Sequence, residues 1–145
     1  METIKIEIDH SNKDYKILKI TALTDNIKSN DLQTLLNMWQ NFINNSEKNN
    51  FKFAMIWKLD KILTMNITDL EKIAKFYLHN VSVIRKLLIG TCVYVDSTFF
   101  NTFFELFKKM YTPTKPIMKC SENDDPLIFL NDCFNNKYNK HSILY

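Results

Sequence analysis

The chain has 145 residues, of which 46% are hydrophobic and 24% charged, with 11 Phe, 6 Tyr and 2 Trp; this suffices for one compact domain with a substantial core and excludes global disorder. Nineteen basic against 16 acidic residues give a formal charge of +3 with Arg85 as the only arginine, too mild a balance for a dedicated nucleic-acid binder, whose phosphate contacts favour the arginine fork. A single glycine, Gly90, rules out the P-loop and the dinucleotide-binding turn, which need several.

In chain order, Ile4, Ile6 and Ile8 alternate with Lys5, Glu7 and Asp9, the period of a half-buried strand. A polar turn, Ser11-Asn12-Lys13-Asp14, leads to a second strand over residues 15–22, so the opening is a hairpin. Ser29, Asn30 and Asp31 are capping residues ahead of Leu32, Leu35, Leu36, Trp39, Phe42 and Ile43, which share one helical face. The polar cluster 44–50 is expected to stop that helix. Over residues 51–59, Phe51, Phe53, Met55, Trp57 and Leu59 make one apolar face, and Ala54 and Ile56 between Lys52 and Lys58 keep the other largely apolar, the pattern of a central strand covered on two sides.

Thr68-Asp69-Leu70-Glu71 matches a capping box, predicting a helix from Asp69 with Leu70, Ile73, Ala74, Tyr77 and Leu78 inward. Its end is open: His79-Asn80 terminates it, or it continues through Val81, Ile84 and Leu87. Residues 91–95, Thr-Cys-Val-Tyr-Val, are rich in β-branched side chains and predict a buried strand. Ser97 caps a helix whose Phe100, Phe103, Phe104, Phe107, Met110 and Tyr111 recur at helical spacing. Pro113 and Pro116 end it before a short strand, 117–120. Asp125-Pro126 is a cap followed by proline at the first helical position, predicting a helix over 127–134. Residues 135–145 form a polar tail beyond a single α/β domain of residues 1–134. Strands alternating with helices imply a mostly parallel sheet with an antiparallel edge.

Three cysteines, Cys92, Cys120 and Cys133, form no close pair and lie in apolar surroundings, as reduced buried thiols do. With no secretory block and no long apolar run, a soluble, intracellular, cytoplasmic protein is expected, and Asn66-Ile67-Thr68 and Asn80-Val81-Ser82 are then unused sequons. The wealth of Asn, Ile and Lys is of the kind AT-rich genomes encode.

No arrangement of His10, His79 or His141 supports a nucleophile and base. Cys120, Cys133 and His141 fit no common zinc spacing. No catalytic residue, metal or cofactor is therefore assigned. The ends of the two central strands carry Asp60 and Asp96-Ser97-Thr98, where open parallel sheets present ligand sites, although Asp and Ser also simply cap helices there. Phe99 falls off the Phe stripe beside Phe100, and with Tyr111 it offers aromatic surface for a protein or lipid contact.

The element order, with the segments Lys58-Leu59-Asp60-Lys61-Ile62 to Leu70 and Cys92-Val93-Tyr94-Val95-Asp96 to Phe107, resembles the STAS domain, the family of the anti-sigma factor antagonists. In that family a phosphorylatable Ser or Thr follows an Asp in the loop after the central strand. Aligned on the leucine, that loop is Asn66-Ile67-Thr68-Asp69-Leu70 here, and only Thr68 keeps a hydroxyl. The resemblance thus implies a non-enzymatic module that binds a protein partner, without the phosphoswitch. Asp60, Thr68, Asp96, Ser97, Phe99 and Tyr111 are the candidate binding residues. The CRAL-TRIO lipid-transfer fold is similar in element order but is longer. It motivates the alternative of a lipid or small molecule held in an apolar pocket under the Phe-rich helix.

Overall fold

The computed structural model describes residues 1–138 and 143–144; the side chains of Ser97, Phe99, Phe100, Ile143 and Leu144 lie outside the described set, as do His141 and Tyr145. The elements are β1 (Ile4–Asp9), β2 (Lys16–Ala22), α1 (Ser29–Asn49), β3 (Phe53–Lys58), α2 (Ile67–His79), α3 (Val81–Leu87), β4 (Leu88–Tyr94), α4 (Ser97–Met110), β5 (Ile117–Cys120), α5 (Pro126–Phe134) and β6 (Ile143–Leu144). They build an α/β fold around one six-stranded sheet in the order β1-β2-β3-β4-β5-β6. β1 runs antiparallel to β2, and every later pairing is parallel. The alternation of strand and helix therefore produces the mixed sheet it predicts.

Side-chain alternation sorts the sheet into two unequal faces. Leu18, Ile20, Phe53, Met55, Trp57 and Leu88 point to the face covered by α1 to α4, which holds the main core. Trp39 of α1 is its centre: fully buried, it stacks on Phe76 at 4.0 Å and takes the edges of Trp57 and Tyr77 at 5.3 and 5.1 Å. On the other face α5 lays Phe129, Leu130 and Cys133 over Ile17, Ala54, Ile56, Ile89 and Cys92, a smaller second core. β3 is thus covered on both sides, as its apolar run requires.

Several boundaries differ from the sequence expectation for local reasons. α1 continues through the polar cluster to Asn49 and stops only where Asn50 turns left-handed, at φ 51°. Ser46 in that cluster is fully buried, its Oγ donating to the Phe51 carbonyl at 2.8 Å. Ser29 is already helical and α1 has no side-chain cap. Asp31 instead accepts from the Thr3 hydroxyl and from the backbone N–H of Thr3 and Glu2, fastening the start of β1 to the helix. Those bonds, led by the Thr3 hydroxyl, hold the Asp31 carboxyl below its ordinary range.

The helix after β3 breaks at Asn80, which separates α2 from α3. Asn80 and Gln40 of α1 exchange amide hydrogen bonds at 2.8 and 2.9 Å, and Asn80 Nδ2 also donates to the Phe76 carbonyl. After α5 the chain returns to the sheet, where Ile143 and Leu144 pair with Ile117 and Met118, and Tyr138 packs on Phe129 at 5.2 Å.

β4 begins three residues earlier than expected and carries an irregularity: Phe53 faces Leu88 while Met55 faces Thr91, so one extra residue is accommodated around Ile89-Gly90. Gly90 is required there by contact. A Cβ at this position would lie 2.7 Å from Cys133 Sγ and 3.2 Å from Cys133 Cβ. Gly90→Ala is expected to cost about 1–3 kcal/mol by overpacking, and Cys133→Ala in the same chain to recover part of the loss. A double-mutant cycle by urea unfolding measures this coupling; additive losses would show that α5 sets no limit on residue 90.

Candidate functional site

The C-terminal ends of β3 and β4 open into two grooves on opposite sides of the sheet. The first lies on the side of α1 to α4, between the β3–α2 loop and the start of α4. It has a volume of about 370 Å³ and an apolar wall of Ile62, Leu63, Met65, Ile67, Phe103 and Leu106, with Thr64, Asp96, Thr98 and Thr102 as polar members. Leu63 and Ile67 stand at 70% and 54% exposure, and what distinguishes them from singly exposed aliphatic side chains is that both line one apolar groove.

The loop is pinned from both sides. Leu59 and Ile62 are buried, the Leu59 N–H donates to the Tyr94 carbonyl at 2.7 Å, and the Leu63 N–H donates to the Asp25 carbonyl at 3.0 Å. The exposed residues are therefore presented by anchored backbone. Met65 and Phe103 also line a small apolar void beneath α4, with Leu35, Trp57, Ile73 and Phe107 among its other walls. Its volume of about 60 Å³ falls well short of the about 150 Å³ of a cavity that takes up benzene, so it holds no acyl chain with α4 in this position.

The second groove, on the α5 side, is about 640 Å³, wider and more polar, and is lined by Lys19, Lys58, Asp60, Tyr94, Cys120, Ser121 and Glu122. Lys58 lies over the Tyr94 ring at 5.7 Å, and Lys19 pairs with Asp9 at 3.6 Å. Cys120 borders this groove, and a hydrogen bond from Cys92 pulls its thiol pKa down while the same bond and burial raise that of Cys92. Burial pushes Cys133 up to about 12. All three cysteines are free and buried. Among the described residues no cluster of His, Cys, Asp or Glu is arranged to hold a metal ion, and no helix is long and apolar enough to cross a membrane.

The candidate residues do not converge. Asp96 is in the first groove, where its side chain accepts from the Thr98 N–H at 3.0 Å and caps α4. Asp60 is exposed in the second groove, across the sheet. The side chains of Ser97 and Phe99 lie outside the described set.

Thr68 is not the cap of α2. Asn66 is: its Oδ1 accepts from the N–H groups of Thr68 and Asp69 at 2.9 and 3.2 Å. The helix starts two residues before the expected Asp69, so Thr68 sits within its first turn with an exposed side chain.

Tyr111 does not present aromatic surface. It is buried, 5% exposed, against Tyr77 at 5.0 Å and Phe107 at 5.7 Å, because α4 turns Phe104, Phe107 and Tyr111 into the main core. Its hydroxyl and that of Thr114 have no hydrogen-bond partner among the described residues and line one cleft of about 30 Å³.

Of the groove wall, helical periodicity singles out Phe103, as part of the Phe stripe, but not Leu63, Met65, Ile67 or Leu106. The available clue was Leu63-Thr64-Met65-Asn66-Ile67, an alternation of large apolar residues in a connection too short to bury them.

Two substitutions test these assignments. Asn66→Ala is expected to cost about 1 kcal/mol, a lost N-cap, and Thr68→Ala less than about 0.5 kcal/mol; chemical denaturation of both variants ranks them, and the reverse order would restore the capping box. Tyr111→Phe removes an unpaired buried hydroxyl, so its melting temperature should equal or exceed that of the parent. No protein-family model, curated protein or solved structure matches the chain, so what it does has to be read from these two grooves and the sheet they flank.

Proposed function

We propose that this chain is a non-enzymatic, STAS-like binding module that docks a protein partner in the groove between the β3–α2 loop and α4. The observation that carries the proposal is the pair of exposed aliphatic side chains, Leu63 and Ile67, at the rim of an apolar groove of about 370 Å³. Open α/β sheets place their ligands at this end of the parallel strands. Apolar rims with a few hydroxyls fit the side chains of a partner segment, with desolvation of the aliphatic groups as the main driving term. The sequential strand order with an antiparallel first strand supports the STAS comparison. Asp96 and Thr98 serve as polar rim in this reading, and Asp60 and Tyr111 take no part.

The alternative, a lipid or small-molecule carrier, draws on the void beneath α4, which adjoins the groove through Met65 and Phe103. Its volume confines any ligand to the groove itself unless α4 moves outward.

The test uses a partner captured from the native source by the full chain, identified by mass spectrometry and then titrated directly by calorimetry. Leu63→Asp and Ile67→Asp are expected to weaken binding by about ten-fold or more each, with stability unchanged within about 0.5 kcal/mol because both side chains are exposed. Ile128→Asp, at an exposed position on α5, serves as the control and should bind as the parent does. Equal affinity in all variants would remove the groove from the interface, and a co-purifying lipid displaced by Leu63→Asp would favour the alternative.

A further inference from the structure

β1 is the outer strand of the sheet, and its backbone is paired on one side only. Extending the β1–β2 register by one residue sets Thr3 opposite Leu23, and there the Leu23 N–H donates to the Thr3 carbonyl at 2.9 Å. Bonded and unbonded pairs alternate along an antiparallel ladder. Lys5, Glu7 and Asp9 therefore direct their backbone groups to β2, and Ile4, Ile6 and Ile8 turn theirs outward. The next strand shows the same parity: the Lys16 N–H donates to the Lys52 carbonyl beside β3 at 3.1 Å, so even-numbered residues of β2 serve β3 and odd-numbered ones serve β1.

No hydrogen bond from a described residue reaches the outward groups of Ile4, Ile6 and Ile8. The strand contains no proline and its register with β2 is unbroken, so it lacks two common devices for blunting an edge. Just before it, the Glu2 and Thr3 N–H groups are tied to Asp31, so the free edge begins at Ile4. At its other end Ile8 is 45% exposed.

The residues around Ile6 complement their own reversed copy. We propose that two copies of this chain associate along β1, antiparallel, about a two-fold axis at Ile6. Ile6 then faces Ile6 of the second copy, and Ile4 faces Ile8; each facing pair exchanges both N–H···O bonds, since these are the residues whose backbone groups point outward. The exposed Ile8 gains the isoleucine neighbour it lacks in the single chain.

Between these, Lys5 of one copy falls opposite Glu7 of the other in an unbonded pair, the arrangement with the closer side chains. Within one chain Lys5 and Glu7 already form an ion pair at 2.6 Å, with side chains about half exposed. Association sets two such pairs head to tail, with charges alternating across the axis. Parallel pairing in register would instead set Lys5 against Lys5 and Glu7 against Glu7, so the charges select the antiparallel form. One short strand per chain makes a contact below the about 800 Å² per partner of a standard stable interface, so dissociation constants in the micromolar-to-millimolar range are expected.

Sedimentation equilibrium over rising chain concentration tests the proposal on the full chain and on Lys5→Glu and Glu7→Lys, with circular dichroism to check that each variant is folded. The parent should pass from monomer to dimer, and each variant, now presenting like charges across the axis, should associate at least ten-fold more weakly. An equimolar mixture of the two variants should recover association as a heterodimer, because the glutamates of one meet the lysines of the other. A parent monomeric at millimolar concentration, a dimer indifferent to both substitutions, or a mixture that stays monomeric would overturn the proposal. Amide exchange on the parent decides even if a variant misfolds. Protection should rise with concentration at Ile4, Ile6 and Ile8 and stay constant at Lys5 and Glu7, and a dimer without that alternation is formed by another surface.

Discussion

The parallel pairing of β3 with β4 beneath Trp39 is the constraint on which the remaining architecture depends. Both strands are apolar on two faces, so each needs a helical layer on either side. Trp39 supplies the larger layer, with its ring stacked on Phe76 and edged by Trp57 and Tyr77, which brings α1, α2 and β3 together at one point. Phe107 and Tyr111 then pack on Tyr77 and extend the same aromatic cluster to α4. The price of this concentration of rings is a set of polar atoms with no hydrogen-bond partner among the described residues, Trp39 Nε1 and the Tyr111 hydroxyl among them, each a local loss accepted for the aromatic area buried around it.

The opposite face is held by closer tolerances. There the second core is small, and α5 approaches β4 until Cys133 meets the backbone of Gly90. The chain thus uses its only glycine where a helix and a strand come into contact, not where a turn needs it. This inverts the first inference glycine invites, that of a loop or phosphate cradle, and explains why a chain so poor in glycine still folds: its tight backbone positions are taken by Asn50 and Asn136, both with positive φ, which asparagine tolerates better than other side chains.

The fold class was legible because hydrophobic period and strand–helix alternation act over whole segments, and segments survive local error. What was hidden were decisions made by tertiary contact. The polar run after Ile43 reads as a helix stop, yet burial of Ser46 and its bond to Phe51 carry the helix onward. Thr68 matches a capping box by its letters, but Asn66 two positions earlier is the better-placed acceptor. Asp31 resembles a cap and instead clamps the N-terminal strand. The candidate site was less legible than the fold. Proximity in sequence to strand ends selected both Asp60 and Asp96, and the sheet then separated them onto opposite faces. The groove between loop and helix draws on residues about forty positions apart, a relation no local period encodes.

Spatial order along this sheet is identical to chain order. No strand has to be inserted between two that are already paired, and each strand-helix-strand unit closes against the edge left by the one before it. Such a sheet can be laid down from its N-terminal edge while the rest of the polypeptide is still being synthesised. The growing end is then always the freshly exposed one, which keeps aggregation-prone parallel edges short-lived during biosynthesis, and β1 is the first edge to form and one that no later strand of the same sheet covers.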